Sequence, residues 1–182
     1  MQSIQTVSEN TIYVGASDRR LAKFENLFPI PRGVSYNAYV ILDEKTALLD
    51  TADASVGAQF LENVAAALDG RKLDYLIVDH MEPDHAAMIE AVLVRWPDLR
   101  LVVNAKTLPM LKMYFPTDSA AIDDALVVKE GDTLDLGKHK LTFVMAPMVH
   151  WPEVMMTFDT TTGTLFSADA FGTFGALEGA LF

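Results

Sequence analysis

The sequence predicts an α/β fold, a sandwich of mixed β-sheets with helices outside, in place of a doubly wound parallel sheet. Up to residue 125, apolar runs of strand length alternate with segments of helical spacing; beyond it, short strand-like runs separated by turn signals take over. The 182 residues carry no linker-like stretch, repeat or low-complexity tract, so 1–182 reads as one domain with a real core.

Taken in order, Tyr36–Asp43 and Thr46–Thr51 flank the charged turn Asp43-Glu44-Lys45 and read as a hairpin. Val56, Phe60, Leu61, Val64 and Leu68 recur with helical spacing, with Asp53 or Ser55 as the cap and Gly70 as the stop. Leu73–Asp79 is a short apolar run of the buried-strand kind that leads straight into His80. A helix is expected from Asp84 to Trp96, closed by Pro97, then a strand at Leu99–Asn104 and a short helix at Thr107–Tyr114. Ala125–Lys129, Thr133–Leu136, Lys140–Met145, Glu153–Phe158 and Gly163–Ser167 read as strands, punctuated by Glu130-Gly131-Asp132, Gly137-Lys138 and Thr162-Gly163.

Composition narrows the chemistry. Apolar residues make up 51% and charged residues 21%, a globular balance. Without cysteine there is no disulfide, thiolate nucleophile, Cys-ligated zinc or Cys-held iron–sulfur cluster. Lys and Arg total 14 against 25 Asp and Glu, and a net charge of −11 repels phosphate backbones, so nucleic acid is not an expected partner. No apolar stretch reaches the roughly 18 residues of a membrane span. The N-terminus has neither the basic nor the apolar region of a secretory signal, so a cytoplasmic protein is expected. A mean hydropathy of +0.20 is high for so acidic a chain, and implies a large core or apolar surface kept for a partner.

The chain has four histidines, His80, His85, His139 and His150. Two lie in the hexapeptide His80-Met81-Glu82-Pro83-Asp84-His85, which leaves an apolar strand and enters a helix. Loops at strand ends are where α/β folds place their sites. His80 and Glu82 alternate as on a strand and can face one position. Asp84 and His85 lie past the turn and can face a second, about 3–4 Å away, the usual two-metal spacing. A polar loop, or a helix start with Asp84 as its cap, is the bland alternative. His150 follows the strand-like Lys140–Met145 in a proline-bracketed loop, and Asp169 follows another strand in Ser167-Ala168-Asp169-Ala170-Phe171-Gly172. Alone, His150 also reads as a satisfied loop histidine, and Asp169 reads first as a turn or cap residue; with the hexapeptide they suggest strand ends converging on one edge. His139 sits in a charged turn and is expected to be solvated and not a ligand.

These blocks, together with Phe24-Glu25-Asn26-Leu27-Phe28-Pro29-Ile30-Pro31-Arg32-Gly33-Val34-Ser35-Tyr36-Asn37 and His150-Trp151-Pro152, resemble the metallo-β-lactamase-like diiron domain of flavodiiron proteins, the A-type flavoproteins that include rubredoxin:oxygen oxidoreductase. The resemblance covers nearly the whole chain. It implies an αββα sandwich of two mixed sheets with outer helices. Glu82 is the telling position, because hydrolytic members of the superfamily carry histidine there and bind zinc; a carboxylate makes the donor set harder and favours iron. The resemblance assigns His80, Glu82 and His150 to one iron and Asp84 and His85 to the other, with Asp169 bridging. In some members the side chain corresponding to His85 turns away.

The implied activity is reduction of O₂ to water, NO to N₂O, or both, at two non-haem irons fed from FMN. FMN would sit on a flavodoxin-like domain that this stretch of sequence does not contain, in a homodimer supplied by rubredoxin or a flavin reductase. The family's second iron takes one further histidine downstream, and the last elements of the sandwich also lie beyond Phe182, so a truncated chain or fragment is expected. Two other readings stay open: a metallo-hydrolase acting on a thioester, lactone or phosphoester through zinc or iron, and an inactive fragment that needs a partner chain.

Overall fold

The computed structural model describes residues 3–116 and 119–179. The N-terminal part builds β1 (Gln5–Ser8), β2 (Thr11–Tyr13), β3 (Ala16–Asp18), β4 (Lys23–Phe24), β5 (Phe28–Pro29) and β6 (Val34–Tyr36). The expected hairpin follows as β7 (Tyr39–Leu42) and β8 (Thr46–Leu49). A 3-10 turn at Ala54–Val56 leads into α1 (Gly57–Leu68), then β9 (Tyr75–Ile77), α2 (Pro83–Ala86), α3 (Ile89–Arg95), β10 (Arg100–Asn104), α4 (Thr107–Tyr114) and α5 (Ser119–Asp123). The chain then runs through β11 (Leu126–Val128), β12 (Thr133–Asp135), β13 (Lys140–Met145), β14 (Met155–Asp159) and β15 (Thr164–Phe166).

Seven strands form one mixed sheet in the order β1-β2-β7-β8-β9-β10-β11, antiparallel up to β8 and parallel from β8 to β11. Its central strands are apolar on both faces, and the two-residue period of a strand divides them between two cores. Leu48, Leu76, Leu101 and Val103 face the helices, where they meet Phe60, Val64 and Leu68 of α1. Ala47, Leu49, Ile77 and Val102 face the second sheet, where they meet Phe143, Leu141 and Met155.

The second sheet, β12-β13-β14-β15, is antiparallel throughout and not mixed as expected, because its strands follow one another through short connections with no crossover. The strand expected at Ala125–Lys129 leaves this group and pairs in parallel with β10 at the edge of the large sheet. Among the described residues, α1, α3 and α4 cover the large sheet, while Val144 and Leu165 on the outer face of the small sheet are exposed.

Caps explain the helix boundaries. Asp53 accepts from the Ser55 N–H at 2.8 Å and opens the turn before α1. Asp69 and Gly70, both at positive φ, end α1 one residue before the expected stop. The helix expected from Asp84 to Trp96 is two helices. Pro83 occupies the first helical position with Glu82 as the cap residue, so Asp84 lies in the first turn and is not the cap. The break follows because the His85 carbonyl accepts from the Thr51 N–H and Oγ1 at 2.8 and 2.7 Å, and is not left to serve Ile89 four residues on.

Candidate metal centre

The six expected donors converge at one end of the sandwich. Beyond the end of β9, Val78 and Asp79 lead to His80 and Glu82, both buried. The turn at Pro83 then brings Asp84 and His85 round on α2. The β13–β14 loop supplies His150, and the loop after β15 supplies Asp169. Residues at positive φ mark two of these strand ends and a neighbouring one: Met148 in the His150 loop, Ala168 beside Asp169, and Asp50 after β8. Non-glycine residues in this region are held there by their surroundings, commonly at functional sites.

Two groups of donors form. His80, Glu82, His150 and Asp169 make the first, and Asp84, His85 and Asp169 the second. In the first, His80 Nε2 lies 3.1 Å from Glu82 Oε2 and 3.3 Å from Asp169 Oδ2. His150 Nε2 lies 2.8 Å from the same Glu82 oxygen and 3.1 Å from the same Asp169 oxygen. In the second, His85 Nε2 is 2.9 Å from Asp169 Oδ1 and 3.6 Å from Asp84 Oδ2. Asp169 thus offers one oxygen to each group, and His85 faces the site. Donors about 2.1 Å from a shared ion lie roughly 3.0–3.4 Å from one another, so these separations suit an ion in each group. The first group contains the two-histidine, one-carboxylate set that suits non-haem iron. Asp84 Oδ1 is buried and has no hydrogen-bond partner, as a donor reserved for an ion would be.

The protonation of the cluster fits the same purpose. Burial alone would discharge His80, but hydrogen bonds to Asp169, Glu153 and Glu82 outweigh it and push the pKa up to about 11. His85 is likewise raised well above its ordinary value, burial being outweighed by hydrogen bonds to Asp169 and Asp50. Burial opposes ionisation of Asp169, yet hydrogen bonds from His80 and His85 hold it far below the usual carboxylate range. Burial pushes Asp84 up to about 6. Ionised carboxylates only accept hydrogen bonds, so contacts this short call for protons on the histidines or for a cation among the donors.

A cavity of about 430 Å³ opens over the cluster. Glu82, His85, His150 and Asp169 line it, together with Phe24, Phe28 and Phe174. The Phe174 ring packs 5.0 Å from Phe24 and 6.1 Å from Phe28. Its segment is strapped down by Ala176 N–H to Arg32 O at 2.9 Å and Leu177 N–H to Ser17 Oγ at 3.1 Å. A second cavity, of about 580 Å³, lies behind the Ser167–Gly172 loop and contains only the Asp50 and Asp79 carboxylates as acidic groups, without a histidine.

His139 is not at the site, as expected, but it is not solvated either. It is 2% exposed and its Nδ1–H donates to Asp159 Oδ2 at 2.8 Å. Asp159 and the Asp43 carboxylate, which accepts from the His139 N–H, close over the turn. Asp50, Asp79, Glu153 and Thr157 are not among the residues that the sequence places at the site. All four are buried around the donors. Asp50 and Asp79 end apolar runs just as Asp169 does, a signal that points to them equally.

A family profile described as "ODP family beta lactamase" matches residues 34–181. The chain belongs to that family. Among curated relatives, the anaerobic nitric oxide reductase flavorubredoxin of Klebsiella pneumoniae is 37% identical over 168 residues, 91% of this chain and 34% of that protein. Among solved structures, the flavodiiron protein of Giardia intestinalis superposes with a TM-score of 0.90 at 28% identity, covering 98% of this chain and 42% of that one. The rubredoxin oxygen:oxidoreductase of Desulfovibrio gigas gives 0.90 at 31% identity, covering 97% and 43%. The chain therefore corresponds to the metallo-β-lactamase-like part of flavodiiron proteins and spans about a third of the curated relative's length.

Proposed function

We propose that this ODP-family domain is the diiron module of a flavodiiron oxidoreductase that reduces O₂ to water, NO to N₂O, or both. The observation that carries the reading is a shared carboxylate: Asp169 turns one oxygen to each of two donor groups that together contain His80, Glu82, Asp84, His85 and His150. Two irons held there would bind a diatomic molecule and supply electrons in pairs. The protein's own part is to fix the donors and shape the space. Glu82 and Asp169 supply anionic oxygens that favour iron over the zinc of a hydrolase. Trp151 packs edge-on against His80, with ring centres 5.4 Å apart, and walls one side of the buried imidazole. Phe24, Phe28 and Phe174 give the cavity an apolar wall suited to a small, weakly polar molecule.

Electrons would come from FMN on a flavodoxin-like domain, itself supplied by rubredoxin or a flavin reductase. The residues around the mouth support docking of such a domain: Leu27, Phe28, Met148, Val149 and Phe171 are apolar and exposed. A cytoplasmic homodimer in which each subunit's flavin meets the other's irons belongs to the same reading, with residues 1–182 as one folding unit. Among the described residues, no helix is long and apolar enough to cross a membrane.

The test is steady-state consumption of O₂ and of NO by the full-length, iron-loaded protein with NADH and a reductase. Sustained uptake abolished by Asp169→Ala supports the reading. Ester or lactone turnover by a zinc-loaded protein, without uptake of either gas, would replace it with the hydrolase.

A further inference from the structure

Behind two of the donor histidines stands a buried carboxylate. His80 Nδ1–H donates to Glu153 Oε1 at 2.7 Å, on the side of the ring away from the site. The same oxygen accepts the Met81 N–H at 3.0 Å, and the Glu153 side chain is fully buried. The Glu153 backbone is fixed in turn, because its carbonyl accepts from Asn104 Nδ2 at 2.6 Å, and Asn104 Oδ1 accepts the N–H groups of Lys106 and Thr107 at the start of α4. Glu153 is three residues beyond His150, so one side chain ties the His150 loop to the turn that carries His80 and Glu82. His85 has the same arrangement from another element. Its Nδ1–H donates to Asp50 Oδ2 at 2.9 Å, and Asp50 Oδ1 accepts the Asp79 N–H at 2.7 Å. His150, with a side chain 55% exposed, has no such acceptor behind its ring among the described residues.

We propose that Glu153 and Asp50 are positioning residues, each serving one metal position: Glu153 orients His80 in the first and Asp50 orients His85 in the second. A carboxylate that accepts from Nδ1 fixes the tautomer whose Nε2 lone pair faces the pocket, locks the ring plane, and makes the imidazole a stronger donor. The two carboxylates sit on different strand ends and touch different histidines, so their effects are separable. The proposal rests on the reading of these histidines as ligands.

The experiment is anaerobic titration of the metal-free protein with Co²⁺, followed by visible absorption, with His80→Ala and His85→Ala giving the spectrum of each position alone. Glu153→Ala is expected to weaken the first position about 10- to 100-fold and leave the second unchanged; Asp50→Ala is expected to do the reverse. Glu153→Gln keeps an acceptor of the same shape without the charge. It holds the fold if the alanine variant does not, and is expected to recover part of the lost affinity. Two cobalt ions bound at unchanged affinity by Glu153→Gln, Glu153→Ala and Asp50→Ala would overturn the positioning role and leave the ligand reading intact. Equal weakening of both positions by either variant, in proportion to its loss of thermal stability, would show a merely structural role. No cobalt binding by the unmodified protein would remove the ligand reading and this proposal together.

Discussion

Asp169 Oδ1 lies 2.9 Å from His85 Nε2, a contact that joins residues 84 apart in sequence and ties the loop after β15 to helix α2. The second oxygen of the same carboxylate faces His80 and His150 at 3.3 and 3.1 Å. One side chain therefore belongs to both halves of the candidate centre.

Asp169→Asn is accordingly expected to cost metal at both positions, while a change confined to Asp84 affects the second alone. The Asp169 side chain is 31% exposed, so the fold should survive the substitution. Metal analysis after dialysis checks this: the asparagine variant should retain less than one equivalent where the unmodified protein retains two. Full retention would mean that Asp169 closes the pocket without ligating.

Glu82→His should shift metal preference toward zinc. It exchanges the carboxylate shared by His80 and His150 for a softer, neutral donor. Loading with equimolar iron and zinc under anaerobic conditions reads the outcome directly. An unchanged iron-to-zinc ratio would remove Glu82 as the selecting residue.

The dependence on pH has a definite sign. His80 is raised to about 11, so its ion pairs stabilise the metal-free fold fully below its unfolded value of about 6.5 and lose that contribution as pH climbs through 11. Asp169 is lowered, so its contribution is complete above about 3.9 and is lost in acid. The metal-free site is thus held best between about pH 4 and 6.5. Metal must displace the protons on His80 and His85, so the rise in melting temperature on adding metal should grow with pH above the ordinary histidine value of about 6.5 and continue toward 11. Calorimetry with and without metal across that range checks it; a shift independent of pH would contradict these protonation states.

His139→Ala should destabilise the fold by about 2 kcal/mol, because it removes the imidazole's hydrogen bond to the buried Asp159 carboxylate. Burial opposes the charge on Asp159, but hydrogen bonds from Thr162 and His139 hold its pKa below the ordinary value. Denaturant unfolding measures the loss, and metal content should not change. Loss of metal together with stability would link this end of the sandwich to the centre.

The donors were legible because they lie at the ends of apolar strands in dense polar blocks, and local pattern carries that information. The strand–helix alternation gave the large sheet's core in the same way. Long-range claims on local groups were not legible. Nothing in Asp84–Trp96 reveals that Thr51 will take the His85 carbonyl and split the helix. The turn around His139 is polar in sequence, yet Asp159 and Asp43 close over it. Glu153 reads as the first residue of a strand, and only the approach of His80 from the other sheet shows what its carboxylate does.

The most direct test of the central claim is Mössbauer spectroscopy of the full-length protein reconstituted with isotopically enriched ferrous iron, with iron counted per chain. Two irons per chain are expected, forming an exchange-coupled pair on oxidation, with uncoupled or missing iron in Asp169→Asn. A single isolated iron, or zinc retained in preference to iron at both positions, would contradict the claim.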